Sequence, residues 1–170
     1  MATTFPDCPS TGGKLIGRYV IIEAADGCAE EIIDEADWML LGALTDKTKD
    51  YSPGSVSSEA DDTGGIVETL QTNLDMEVGF SGEVFDITPT DMYGLERLEL
   101  NSVTRSKAMR QPTLWVRITE GDVRMTFFAV ITGLSTGGGT NDIRTFDGTF
   151  KVSRAETVVI ERLSELPVVP

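Results

Sequence analysis

Residues 133–137 read Gly-Leu-Ser-Thr-Gly, which matches the G-x-S-x-G pattern that holds a nucleophilic serine on a sharp strand-to-helix turn. Ser135 would then need a base. The chain contains no histidine, the side chain that most often takes up a proton near neutral pH. A run of glycines follows where a helix should start, so the match is one of chance, and Ser-His-Asp and Cys-His enzymes are excluded. Gly12-Gly13-Lys14 lacks the spacing and the hydroxyl residue of a phosphate loop. Cys8 and Cys28 stand twenty positions apart in neither a zinc nor a thioredoxin-type pattern, which leaves free thiols or one structural disulfide. No catalytic residue is assigned.

Carboxylates are the remaining chemical resource. Asp34, Glu35 and Asp37, and again Glu59, Asp61 and Asp62, could offer oxygen to Ca²⁺, but neither group has the glycine and terminal glutamate of an EF-hand loop. They read as solvated charge runs, with no metal and no cofactor expected. Among 28 acidic residues, a carboxylate pair suited to glycoside hydrolysis carries no information. The 28 acids against 14 bases give a net charge of -14 and a pI near 4.3, which argues against holding DNA or an anionic membrane through phosphate contacts. No cleaved signal and no membrane-spanning segment is expected from the sequence. Residues 23–99 hold 20 acidic and 3 basic side chains, whereas residues 100–170 hold 7 and 9. Such asymmetry marks either an interaction surface or a solvated acidic one.

The elements that must position these charges follow from hydrophobic periodicity. A chain of 170 residues can bury a core without metals or disulfides, and it is read as one domain over 1–170. A first strand is expected over Lys14–Glu23. Residues 30–44 fit either a helical stripe (Ile32, Ile33, Ala36, Met39, Leu40) or, in their second half, a buried strand. Residues 46–65 are rich in Ser, Asp, Thr and Gly and read as a long exposed loop or a flexible hairpin arm. From Thr72 to Phe85 the pattern is clearest: Leu74, Met76, Val78, Phe80 and Val84 share one parity, and Asp75, Glu77, Gly79, Ser81 and Glu83 the other. A strand here has one apolar and one acidic face.

A helix start is expected at Thr88, with Pro89 in its first turn, Asp91 in the capping-box position and Met92, Leu95 and Leu98 inward. Residues 114–131 predict a β-hairpin about Glu120-Gly121-Asp122, and Thr136–Asp142 a flexible loop. Strands over Arg144–Val152 and Thr157–Leu163 precede an extended tail, 164–170. Six or seven strands about one helix make the fold mainly β, a β-sandwich or small barrel with one flanking α-helix.

Four stretches taken together, WMLLGALTD at 38–46, VSSEADDTGG at 56–65, NLDMEVGFSG at 73–82 and the helix after Pro89, resemble the major tail tube proteins of long-tailed bacteriophages over roughly residues 15–155. The resemblance implies a structural virion protein of the tail, not an enzyme. It implies assembly in the host cytoplasm into hexameric rings that stack into a hollow tube, with sheets pairing between subunits around the lumen. A tape measure protein and a tail terminator are its implied partners, and phage DNA passes through without specific binding. It also implies an inter-ring stacking loop at 46–65, with Asp46, Lys47, Lys49, Asp50, Tyr51, Glu59, Asp61 and Asp62 as its polar and aromatic residues. From pattern rather than resemblance, Asp75, Glu77 and Glu83 are the candidate lumen wall, since an acidic wall repels a duplex carrying about one negative charge per 1.7 Å. The apolar Val-Val-Pro end and the lack of a decorating C-terminal domain depart from the family pattern. The alternatives are a tail terminator or connector that forms a single ring, and a monomeric sugar- or Ca²⁺-binding module with Trp115 as its aromatic handle.

Overall fold

Alternating side chains carry most of the chain into strands. The computed structural model describes residues 17–58 and 66–165. In chain order the elements are β1 (Val20–Ala25), β2 (Met39–Leu40), β3 (Ala43–Ser58), β4 (Glu68–Glu83), α1 (Leu95–Lys107), β5 (Thr113–Glu120), β6 (Val123–Gly137), β7 (Thr145–Val152) and β8 (Val159–Arg162), with short 3₁₀ turns between some of them. All the strands belong to one antiparallel sheet in the order β2-β1-β5-β6-β7-β4-β3, and β8 pairs with the start of β6. The sheet curls into an open half-barrel with one helix, so the mainly β expectation holds.

The curl encloses the residues that alternation assigns to one parity. Met76, Val78 and Phe80 of β4, Leu114, Val116 and Ile118 of β5, Met125, Phe127, Ala129 and Ile131 of β6, and Phe146 and Phe150 of β7 are buried together. Phe80 packs with its ring centroid 4.6 Å from that of Phe150 and 6.1 Å from that of Phe146. Two glycines make room for this trio: a Cβ on Gly148 would lie 2.3 Å from the Phe80 ring, and one on Gly82 2.7 Å from the Phe146 ring. The β5–β6 turn is as expected. Glu120 pairs with Val123, and Gly121 takes φ +59, the left-handed conformation glycine adopts without strain in a two-residue hairpin turn.

Several expectations are corrected. Of the loop and the hairpin arm expected at 46–65, residues 46–58 adopt the arm: they are most of β3, a strand paired with β4 from Ala43↔Glu83 to Ser58↔Glu68. Its polar composition left the two undecided, because a strand's preference is set by the partner it meets more than by its own residues. Glu59, Asp61 and Asp62 lie outside the described residues, as do residues 1–16 with Cys8 and residues 166–170. The helix does not start at Thr88. Residues 89–92 form a turn in which the Met92 N–H donates to Pro89 O, and α1 begins behind Gly94. The Thr88 side chain packs against Gly94 instead of capping a helix. Of the expected inner stripe, Leu98 is fully buried, Leu95 packs against the core, and Met92 bridges to Leu40.

The helix stripe suggested for residues 30–44 shrinks to a 3₁₀ turn at Glu35–Asp37, followed by the short β2. The tail expected from residue 164 begins instead within a 3₁₀ turn, where Ser164 donates N–H and O–H bonds to Asp122.

Replacing Phe150 with alanine is expected to cost about 3–5 kcal/mol, as for a large ring removed from a close-packed core. Thr88→Ala would cost about 1 kcal/mol if Thr88 capped a helix; at a turn it should stay within about 0.5 kcal/mol. Denaturant titrations of the two variants check both values.

Candidate functional site

The face of β4 turned away from the core carries Asp75, Glu77, Gly79, Ser81 and Glu83, and the register shows what lies beside them. On β3, Ser52, Asp50, Thr48 and Asp46 stand opposite Asp75, Glu77, Gly79 and Ser81. On β7, Lys151, Thr149, Asp147 and Thr145 stand opposite Glu77, Gly79, Ser81 and Glu83. On β6, Gly133, Ser135 and Gly137 stand opposite Thr149, Asp147 and Thr145. Cross-strand neighbours share a face. The strands β3-β4-β7-β6 therefore present Asp46, Asp50, Asp75, Glu77, Glu83 and Asp147 together, against the single cation Lys151.

Lys151 Nζ lies 2.8 Å from Asp75 and 3.3 Å from Glu77. These hydrogen bonds, Asp75 first, raise its pKa. The Ser81 hydroxyl donates to Asp147. Between the strands runs a shallow groove of about 490 Å³, lined mainly by glycine, serine, threonine and the two aspartates Asp46 and Asp147. Such a surface is a wall of predominantly negative charge. Ser135 sits inside β6 beside Asp147, not on a strand-to-helix turn.

Two groups that the sequence separated thus merge. Asp46 and Asp50 join Asp75, Glu77 and Glu83 on one face, while Lys47 and Lys49, opposite Phe80 and Val78 in register, belong to the interior parity. Tyr51 stands opposite Met76. Beyond that pair the hairpin leaves the sheet, since β7 meets β4 only over Glu77–Glu83. Its free part is a two-stranded arm with Val56, Leu70 and Leu74 all more than half exposed.

Both flanks of the four-stranded surface are open. β3 ends the strand order, and among the described residues no strand pairs with its outer side. On the opposite flank β6 outruns its neighbour. β5 pairs with Val123–Val130, Pro112 O accepts the Ile131 N–H, and no described strand covers Thr132–Gly137 on that side. The expected hairpin ends at Ile131 and the expected loop begins at Thr136, whereas β6 runs through residues 132–135, of loop-like composition, to Gly137. No signal in that composition distinguishes it from a paired strand.

The other half of the sheet carries a buried charged group that the sequence did not single out. Arg117 is only 6% exposed. Its guanidinium donates two bonds to Glu23, at 2.7 and 2.9 Å, and one to Glu35 at 2.7 Å, and stacks 4.5 Å over the Trp38 ring. Burial opposes its charge, and the two carboxylates outweigh burial, so its pKa is raised. The clue was the register pair Glu23↔Arg117, visible only once β1 is set against β5. Trp115 is engaged as well. Its Nε1–H donates to Cys28 O, its ring meets Phe128 edge-on, and with Trp38, Glu35 and Arg117 it lines a cavity of about 320 Å³.

No protein-family model matches the chain, and no curated protein sequence matches it. Solved structures do match it in fold. The tail of an empty gene transfer agent (GTA) particle, refined helically with C6 symmetry, gives a TM-score of 0.63 at 11% identity, covering 87% of this chain and 99% of that one. The SPP1 tail tube gives 0.58 at 11% identity, covering 88% and 80%. The baseplate of the anti-feeding prophage gives 0.52 at 9% identity, covering 92% and 100%. The chain has the fold of phage tail tube proteins, in agreement with the resemblance in its sequence.

Hydrogen bonding from Arg117 is the largest influence on Glu35 and holds its carboxyl below the usual carboxylate range. A lowered pKa gives stability that is present at neutral pH and lost as pH falls through the folded-state value. The stability difference between wild type and Glu35→Gln should therefore be constant from pH 6 to 8 and vanish towards strongly acid pH, as thermal melts across a pH series will show.

Proposed function

We propose that the protein is a structural subunit of a phage-type tail tube and that it self-associates through the two open flanks of its four-stranded surface. The observation that carries this reading is the coincidence of both open edges with one acidic face. An unpaired edge presents a row of backbone donors and acceptors and is a template for another strand. When the two edges differ, the contact is head-to-tail, and it makes a closed ring if the rotation per copy divides a full turn. Pairing the first part of β3 of one copy with Thr132–Gly137 of the next satisfies the β6 edge and part of the β3 edge, and the carboxylates of all copies then line one channel.

Hexameric rings, stacking into a tube and passage of DNA are the finer parts of the proposal. The acidic wall suits such passage, because a basic channel would bind phosphates and release counterions, whereas a negative one leaves the duplex free to slide. Asp75, Glu77 and Glu83 keep their proposed place at the lumen, joined now by Asp46, Asp50 and Asp147. The inter-ring contact moves from the loop first considered to the free arm of the β3–β4 hairpin, whose exposed Val56, Leu70 and Leu74 offer apolar surface to a neighbouring ring. A tape measure protein and a tail terminator are the further partners proposed, with a virion tail location and assembly in the host cytoplasm. No catalytic role is proposed.

Negative-stain electron microscopy across a concentration series tests the reading. Hollow, striated tubes are expected. Single closed rings would indicate a terminator or connector instead, and monomers that melt higher with Ca²⁺ or sugar would indicate a binding module. The triple variant Asp75→Lys, Glu77→Lys, Glu83→Lys is expected to form tubes but to slow DNA ejection from particles that carry it. Ejection at the wild-type rate would contradict the lumen assignment.

A further inference from the structure

Two lysines on the edge strand β3 point into the apolar side of the sheet. Lys47 and Lys49 stand opposite Phe80 and Val78, both buried. Neither ammonium stays among those rings. Lys47 Nζ reaches across the open side of the half-barrel and donates to Val20 O at 2.5 Å and Gly17 O at 3.4 Å, at the start of β1. Lys49 Nζ meets Glu120 at 2.5 Å, at the end of β5, with side-chain exposures of 17% and 30%. β3 lies at one end of the strand order and β1 is next to the other end. No backbone pairing joins them, so the curl is closed here by side chains.

A half-buried ammonium is tolerated only where acceptors meet it, and these acceptors stand on two other strands. An apolar residue would fill the same space with no preferred direction. A donor aimed at a fixed carbonyl and a fixed carboxylate ties the edge strand to one position. Inward-pointing charge on an edge strand also discourages flat, indiscriminate pairing, because the strand can dock only with its curl kept. In a ring built by edge pairing, the angle between successive copies is the angle through which each copy's sheet turns from one open edge to the other.

We propose that Lys47 and Lys49 are positioning residues that fix this angle, and so determine how many copies close the ring and how wide the tube is. The inference rests on the tail-tube reading. It adds a specific device, a seam of two ammonium groups bonded to Val20 O and Glu120, to an assembly otherwise made by strands.

The test compares wild type with the double variant Lys47→Met, Lys49→Met, which keeps side-chain length and loses the donors, and with the charge exchange Lys49→Glu, Glu120→Lys. Circular dichroism reports folding, and electron-microscopic class averages report ring symmetry and tube width. The double methionine variant is expected to fold and associate but to lose the single tube width. The charge exchange, which rebuilds the Lys49–Glu120 pair in reverse, is expected to keep one width. Tubes of wild-type width and symmetry from the methionine variant would overturn the proposal, as would a folded charge-exchange variant with mixed widths. If the methionine variant does not fold, Glu120→Gln, which keeps the size of the acceptor and removes its charge, carries the same expectation of mixed widths and the same refutation. Failure of the wild type to form tubes would contradict the tail-tube reading itself, and that result precedes any substitution.

Discussion

An antiparallel sheet that curls without closing leaves backbone N–H and C=O groups unsatisfied along each flank. In this protein that constraint organises the molecule. The β1 flank is partly covered from within: β2 pairs with Glu23 and Ala24, the Leu41 N–H donates to Ile22 O, and Lys47 takes Val20 O. The β3 flank has no such cover among the described residues, and neither has the last stretch of β6. A monomer with so long an edge strand is exposed to uncontrolled pairing. Pro53 in β3 and the register shifts after Leu44 and Gly54 limit this, since prolines and bulges interrupt a continuous template.

The two halves of the sheet divide the work, and β6 serves both. Its first half, with β1 and β5, is covered on the outer face by the 26–38 segment, where Arg117 is clamped between Glu23 and Glu35 beneath Trp38. Its second half, past the register shift after Ile131, joins β7, β4 and β3 in the acidic surface. The aromatic trio of Phe80, Phe146 and Phe150 lies directly behind that surface. The carboxylates are thus mounted on the rigid part of the fold, and their repulsion is borne by close-packed rings rather than by loops. Salt at 0.1 M screens that repulsion beyond about 10 Å.

Legibility in the sequence followed how strongly each residue's type is tied to its face. β4 could be read because its apolar and acidic parities never mix between Leu74 and Glu83, and Asp75, Glu77 and Glu83 lie on the face that pattern assigned. β3 could not, since Lys47, Lys49, Thr48 and Asp50 are polar on both parities and only the partner strand separates them. The end of β6 was hidden for the same reason: Gly133 and Ser135, both small, line a groove, and small polar residues also make loops. Thr88-Pro89 carried a valid helix-start signal that tertiary packing overrode, leaving Gly94 before the first turn. Arg117 was not singled out because alternation gives it a face and says nothing of the segment that covers that face.

The central claim is that β3 and the last residues of β6 are the two edges that pair between copies. Amide hydrogen exchange, followed by mass spectrometry on free and assembled protein, tests it most directly. The account expects protection to rise together in residues 43–50 and 132–137 on assembly, with β5 and the Arg117 region little changed. Tubes in which both segments exchange as they do in the free protein would contradict it.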